Sequence, residues 1–148
     1  MEQTDEMANP QKILVGVDNS DNARAALRWA LDHSSSADQI VALHVWHLPV
    51  TAGFESMMLD PAVFEAGAEE LLAALLDDVA PDATERSRIE TRAVCGQTVA
   101  EILSQSADAD LVVLGSRGHG GFAGLLLGSV THSVVQHAIR PTVVVPAP

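Results

Sequence analysis

A cluster of glycines in the last third of the chain contains the residues best suited to binding chemistry. Six of the ten glycines lie between Gly115 and Gly128, although glycine weakens helices and strands. The pair Gly128-Ser129 stands where a helix is expected to begin. Because uncovered amides at a helix N-terminus attract negative charge, the cluster predicts a site for an anionic ligand.

Three familiar motifs do not explain these glycines. Residues 118–123 match the dinucleotide fingerprint G-x-G-x-x-A, but that motif belongs to the first strand–helix turn and needs a later acidic residue, which is absent here. A P-loop needs a lysine, and the only lysine is Lys12. The nucleophile elbow G-x-S-x-G is also absent, so nothing supports a hydrolase of that type.

The elements that must position the cluster follow from the apolar pattern. Strands are predicted at residues 13–17, 40–45, 89–94, 111–114 and 142–145, of which most are continuous apolar runs typical of strands covered on both faces. Helices are predicted after the N-cap Ser20, over residues 64–79, after the capping box Thr98-x-x-Glu101, and over residues 130–138.

Strands that alternate with helices require parallel pairing and right-handed crossovers. We therefore predict one α/β domain over residues 11–148, after a flexible tail at residues 1–10. Its core is a doubly wound, open, five-stranded parallel sheet in the order 3-2-1-4-5, with helices on both faces. Ligands of such sheets bind beyond the carboxyl ends of the strands where the order reverses, which places Asp18 opposite the glycine cluster.

The glycine spacing also resembles a family signature. Gly115-x-x-Gly118, followed after nine residues by Gly128-Ser129, resembles the G-x2-G-x9-G-[ST] signature of ATP-binding universal stress proteins. The resemblance extends over residues 13–18, 43–45 and 141–145. It implies a Rossmann-like domain that binds ATP with Mg2+ or Mn2+ and acts as a cytoplasmic, nucleotide-dependent regulatory module in stress responses.

The resemblance implies roles for the matched positions. Gly115 and Gly118 would let ribose and phosphate approach the backbone, Asp18 would hold the metal through water, and the start of the last helix would bind phosphate with amides and hydroxyls. The bland alternative is that Asp18 and the Gly128-Ser129 pair only cap helices. The expected ATP-binding residues are Gly16, Asp18, Val45, Leu114, Gly115, Arg117, Gly118, His119, Gly120, Gly121, Gly128, Ser129, Val130 and Thr131, with Asp18 also the metal ligand.

Other functions stay open at this point. Phosphoryl-transfer enzymes place a lysine or arginine and a water-orienting base around the phosphate, for which this sequence offers Arg117 and His119. A regulatory binding module is therefore favoured over an efficient enzyme. The alternatives are a slow metal-dependent ATPase or phosphotransferase, and a partner-binding switch that holds AMP or a cyclic nucleotide. The downstream partner is not indicated by the sequence.

Composition argues against other classes of ligand. Acidic residues outnumber lysine and arginine 20 to 8, which gives a formal net charge of −12 and disfavours nucleic acids and anionic membranes. The start of the chain lacks a signal-peptide pattern and no apolar run reaches spanning length, so we expect a cytoplasmic protein. Cys95 is the only cysteine and is expected to be packed. His44 and His47 are expected to point to opposite faces of a strand, which disfavours a shared metal.

The last strand predicts self-association. Residues 142–145, a threonine followed by three valines, are uncharged, and the predicted order leaves this strand at an edge of the sheet. Pro141 and Pro146 bracket it, and the opposite edge carries Glu90 and Arg92. We therefore expect a homodimer formed by two-fold antiparallel pairing of strand Thr142–Val145, which the family resemblance also implies. The alternative is a monomer in which residues 146–148 fold back and shield this edge. The segment at residues 47–61, with Met57 and Met58, is expected either to cover the site or to pack on the following helix.

Overall fold

The computed structural model describes residues 9–50, 52–118 and 126–148. Most of the predicted tail at residues 1–10 therefore lies outside the described residues. The same is true of three expected site residues, His119, Gly120 and Gly121.

Five strands form one parallel sheet. They are β1 (Lys12–Gly16), β2 (Gln39–Trp46), β3 (Ile89–Cys95), β4 (Leu111–Gly115) and β5 (Thr142–Val145). The sheet order is β3-β2-β1-β4-β5, which confirms the prediction. The central strand β1 lies between β2 and β4, with Val15 aligned to Ala42 on one side and to Val113 on the other. The chain therefore emerges from β1 and from β4 side by side, at the same end of the sheet.

Helices cover both faces of the sheet. They are α1 (Asp21–Asp32), α2 (Pro61–Val79), the short α3 (Ala83–Arg86), α4 (Thr98–Ser106) and α5 (Ser129–His137), and a 3-10 helix spans Gly53–Met58. Successive strand residues point to opposite faces, so Ile13 and Val15 pack in a cluster with α1 and α2, whereas Leu14 packs in a second cluster with α4 and α5.

The sequence predicted a capping residue for two of the helices, Ser20 for α1 and Thr98 for α4. Ser20 caps α1 as predicted, since its hydroxyl oxygen accepts a hydrogen bond from the amide of Ala23 at 3.1 Å. The predicted capping box of α4 is wrong. Gln97 is the N-cap and its side-chain oxygen accepts from the amide of Ala100 at 2.7 Å, so Thr98 is already the first helical residue.

The N-terminal end of α1 reaches the carboxyl edge of the sheet, and the helix is anchored along its outer side. Arg28 donates to both carboxylate oxygens of Glu85, at 3.0 and 2.9 Å, and to the backbone oxygen of Val79 at 3.1 Å. These hydrogen bonds hold the pKa of the Glu85 carboxyl below its usual value. They tie α1 to the end of α2 and to α3.

Some surface expectations differ from the structure. Cys95 is exposed rather than packed, because it is the last residue of the edge strand β3. Met57 and Met58 are 80% and 71% exposed, so these side chains do not pack on α2. Within the described residues, no helix combines the length and apolarity needed to cross a membrane.

Candidate functional site

A cleft lies at the carboxyl ends of β1 and β4, where the strand order reverses. Its volume is about 400 Å³, within the range of small-molecule sites. The structure brings eleven of the expected site residues together around it: Gly16, Asp18, Val45, Leu114, Gly115, Arg117, Gly118, Gly128, Ser129, Val130 and Thr131. The lining residues that sequence reasoning missed are Val17, Ser20, Ala23, Leu43, His44, His47, Thr98 and Ile102.

Asp18 and Gly118 meet across the cleft. One oxygen of Asp18, Oδ1, accepts from the amide of Ser20 at 2.9 Å and so shapes the turn before α1. A Cβ atom on Gly118 would lie 2.8 Å from the other oxygen, Oδ2. The carboxylate therefore shapes the turn and lies at the cleft, but it does not cap α1, because the N-cap of that helix is Ser20.

The N-terminus of α5 forms a second side of the cleft. The N-cap is Gly128, which has no side chain to satisfy the first amides, and the first intrahelical bond joins His132 to Gly128 at 2.9 Å. The amides of Ser129, Val130 and Thr131 therefore precede the helical hydrogen-bond ladder, as in helix ends that bind anions. The macrodipole adds partial positive charge at the same place.

One expected donor is engaged elsewhere. The hydroxyl of Thr131, which the resemblance suggested would contact phosphate, donates to the backbone oxygen of Gly115 at 2.7 Å and is buried. The group of Thr131 that remains for an anionic ligand is its backbone amide, which lies in the first turn of α5. The hydroxyl of Ser129 differs, because Ser129 is exposed at the mouth of the cleft.

Asn22 holds the start of the glycine loop, by which we mean residues 115–128. Its side-chain oxygen accepts from the amide of Arg117 at 2.6 Å and from the hydroxyl of Ser116 at 3.2 Å. A Cβ atom on Gly115 would lie 2.7 Å from Cγ of Asn22, so this glycine is required by packing. Sequence reasoning missed Asn22, because a polar residue in a first helical turn is usually exposed and this one is buried.

Two histidines line the same cleft. His44 and His47 were expected to point to opposite faces, but β2 ends at Trp46, so the alternation does not continue to His47. Nδ1 of His44 lies 2.9 Å from the backbone oxygen of Val17. Since a carbonyl oxygen can only accept, Nδ1 carries the hydrogen. Among the described residues, no group of three or more His, Cys, Asp or Glu side chains is placed to hold a metal ion.

Comparison with known proteins settles the family. The model of the universal stress protein family matches residues 9–146. The chain belongs to the universal stress protein family. Universal stress protein Rv2623 from Mycobacterium tuberculosis is 35% identical over 144 residues, an alignment that covers 93% of this chain and 46% of that protein. The chain thus spans about half the length of this curated relative.

Solved structures of other universal stress proteins share the fold. UspA from Lactobacillus plantarum is 26% identical, with a TM-score of 0.75 over 93% of this chain and 99% of that one. A universal stress protein solved in complex with cAMP is 24% identical, with a TM-score of 0.68 over 95% of this chain and 100% of that one. Both superpose along nearly the whole domain.

We expect Gly115→Ala to destabilise the protein by about 1–3 kcal/mol, because the new methyl group overlaps Asn22 in a packed region. Gly67→Ala is the matched control. Gly67 lies within α2 with nothing within 4 Å of a Cβ atom, so alanine should stabilise the protein by about 0.5–1 kcal/mol. Urea unfolding of both variants measures the two effects. Equal effects of the two substitutions would show that Gly115 has no special packing requirement.

Proposed function

We propose that this universal stress protein binds ATP with Mg2+ or Mn2+ in the cleft and acts as a cytoplasmic regulatory module of stress responses. One observation carries the proposal: Asp18, Gly118 and the uncapped N-terminus of α5 converge on a cleft of about 400 Å³. That combination offers both a carboxylate for a metal and amides for phosphate.

The lining residues suit the parts of an adenine nucleotide. Val45 and Leu114 are buried apolar residues at the ends of β2 and β4, so they provide surfaces for the adenine ring. The amides of Ser129 and Val130 and the guanidinium of Arg117 supply donors for phosphate oxygens. Gly118 lets the ligand approach the backbone beside Asp18. His119, Gly120 and Gly121 belong to the same proposed phosphate-binding loop.

A divalent cation is expected with the nucleotide because of charge. The protein has a formal net charge of −12, and Asp18 adds negative charge at the cleft itself. A polyanionic ligand beside this carboxylate needs a cation between the two. Since no larger group of metal-ligating side chains is present among the described residues, the phosphate oxygens and water would complete the coordination of a metal at Asp18.

The proposal is for binding and regulation rather than efficient catalysis. Phosphoryl transfer needs a positioned cation and a residue that orients the nucleophile. Of the described lining residues, Arg117, His44 and His47 are those that can carry positive charge. Slow hydrolysis is compatible with this lining. The universal stress protein solved with cAMP makes cAMP a competitor to test, together with AMP.

Gly118→Val should weaken ATP binding roughly tenfold or more, because its side chain would occupy space against Asp18. Titration calorimetry with Mg-ATP measures the affinity, and AMP and cAMP are titrated into the parent protein for comparison. Gly67→Val, on the exposed side of α2, controls for the substitution itself. Unchanged ATP affinity in a folded Gly118→Val variant would contradict the site assignment, and tighter binding of cAMP than of ATP would contradict the ligand.

Removing divalent cations should lower the affinity for ATP, and Asp18→Ala should reduce that dependence. Asp18→Asn sharpens the test, because its side-chain oxygen can still accept from the Ser20 amide while the negative charge is lost. Asp21→Asn, an exposed change three residues further along the chain, is the control for charge. Calorimetry is run with Mg2+ and with a chelator. Affinity that is independent of metal in the parent would exclude Asp18 as the metal ligand.

We also propose that β5 pairs with its two-fold copy to form a homodimer. Among the described strands β5 pairs with β4 alone, so its other side is an edge between Pro141 and Pro146. Val144→Lys should convert a dimer of about twice the chain mass into a monomer, as measured by light scattering. Val135→Lys, which adds the same charge to the exposed face of α5, should leave the dimer intact. A parent protein that is monomeric at micromolar concentration contradicts this proposal.

A further inference from the structure

The side chain of Asn22 joins two distant parts of the chain beneath the cleft. Its Nδ2 donates to the backbone oxygen of Val145, 123 positions away, at 3.0 Å. Its Oδ1 accepts from the amide of Arg117, 95 positions away, at 2.6 Å. Asn22 is only 5% exposed, so water does not readily replace these partners.

The two ends of this amide are not interchangeable. The Val145 oxygen can only accept and the Arg117 amide can only donate, which fixes the orientation of the Asn22 side chain. Oδ1 also accepts from the hydroxyl of Ser116 at 3.2 Å, so both of its acceptor positions are used. Aspartate has the same shape but would place an oxygen against the Val145 oxygen, where a donor is required.

The carbonyl of Val145 is shared between the loop and the helix. It accepts from the amide of Ser116 at 2.8 Å as well as from Asn22. Ser116 in turn accepts from the amide of Gly128 at 2.7 Å, at the start of α5. The last residue of β5, the first residues of the glycine loop and the N-cap of α5 thus belong to one hydrogen-bonded unit.

We propose that Asn22 is a positioning residue that transmits nucleotide occupancy of the cleft to the edge strand β5. This inference rests on the proposed binding of ATP. Phosphate contacts at Gly118 and at the start of α5 would restrict residues 116–118, and with them the peptide of Arg117 that Asn22 holds. When residues 116–118 are displaced less often, the Asn22–Val145 bond stays intact for longer, and local opening of β5 becomes rarer.

The direction of the coupling follows from linkage. If bound ATP stabilises the state in which the Asn22–Val145 bond is formed, then formation of that bond strengthens ATP binding by the same factor. Breaking the bond between Asn22 and Val145 should therefore weaken ATP binding roughly tenfold, a typical size for coupling between neighbouring sites. It should also remove the effect of ATP on β5 when the variant is fully loaded.

Hydrogen exchange followed by mass spectrometry tests the coupling in the peptide covering residues 142–148. The parent is compared with and without saturating Mg-ATP, at a protein concentration where light scattering gives the same mass in both states. We expect ATP to slow exchange in this peptide. The Asn22→Asp variant is measured at an ATP concentration that calorimetry shows to be saturating. There we expect ATP to slow exchange in the peptide covering residues 129–137 but not in the peptide covering residues 142–148.

Asn19→Asp is the matched control. Asn19 is exposed in the turn before α1 and does not line the cleft. The substitution therefore adds the same charge without removing a hydrogen bond to Val145, and ATP should still slow exchange in β5. If Asn22→Asp does not fold, the parent measurement alone decides, because a loaded parent with an unprotected β5 overturns the coupling. Normal protection of β5 in loaded Asn22→Asp also overturns it. Failure of the parent to bind ATP at all instead overturns the proposed function, and the coupling with it.

Discussion

The approach of Gly118 to the carboxylate of Asp18 is the contact on which the rest of the cleft depends. The position of a Cβ atom on Gly118 is only 2.8 Å from Oδ2 of Asp18, so no other residue fits there without displacing the carboxylate. The contact exists because β1 and β4 are parallel neighbours, so the segments that follow them begin side by side. A carboxylate fixed at this place makes the site negative on one side. The uncapped N-terminus of α5 and the guanidinium of Arg117 supply the opposite polarity.

The three glycines of the family signature are each required by a different close contact. Gly115 lies under Asn22 and leaves no space for a methyl group, whereas Gly118 faces the Asp18 carboxylate. At Gly128 a Cβ atom would lie 3.3 Å from the Cα of Arg117, so this glycine lets the two ends of the glycine loop pack together. The signature spacing therefore meets requirements of backbone packing in the protein itself.

Features of the structure could be predicted from the sequence where the residues that determine them lie close together in the chain. The sheet order followed from apolar runs and from the position of the glycine loop after the fourth strand, and Ser20 capped α1 as its residue type indicated. The capping box at Thr98 failed, because Gln97 offers a competing acceptor one residue earlier. Asn22 could not be found at all, since its partners lie 95 and 123 positions away and only the folded sheet brings them together.

The order of strands also determines which edge of the sheet can respond to a ligand. The cleft lies between β1 and β4, so β5 is one strand away whereas β3 is two strands away across β2. Asn22 shortens the distance further, because it reaches from the first turn of α1 to the end of β5 without passing through β4. β3 carries the charged side chains of Glu90 and Arg92, which pair with each other at 2.8 Å and suit an edge exposed to water. The edge at β5 and the cleft are therefore neighbours by topology.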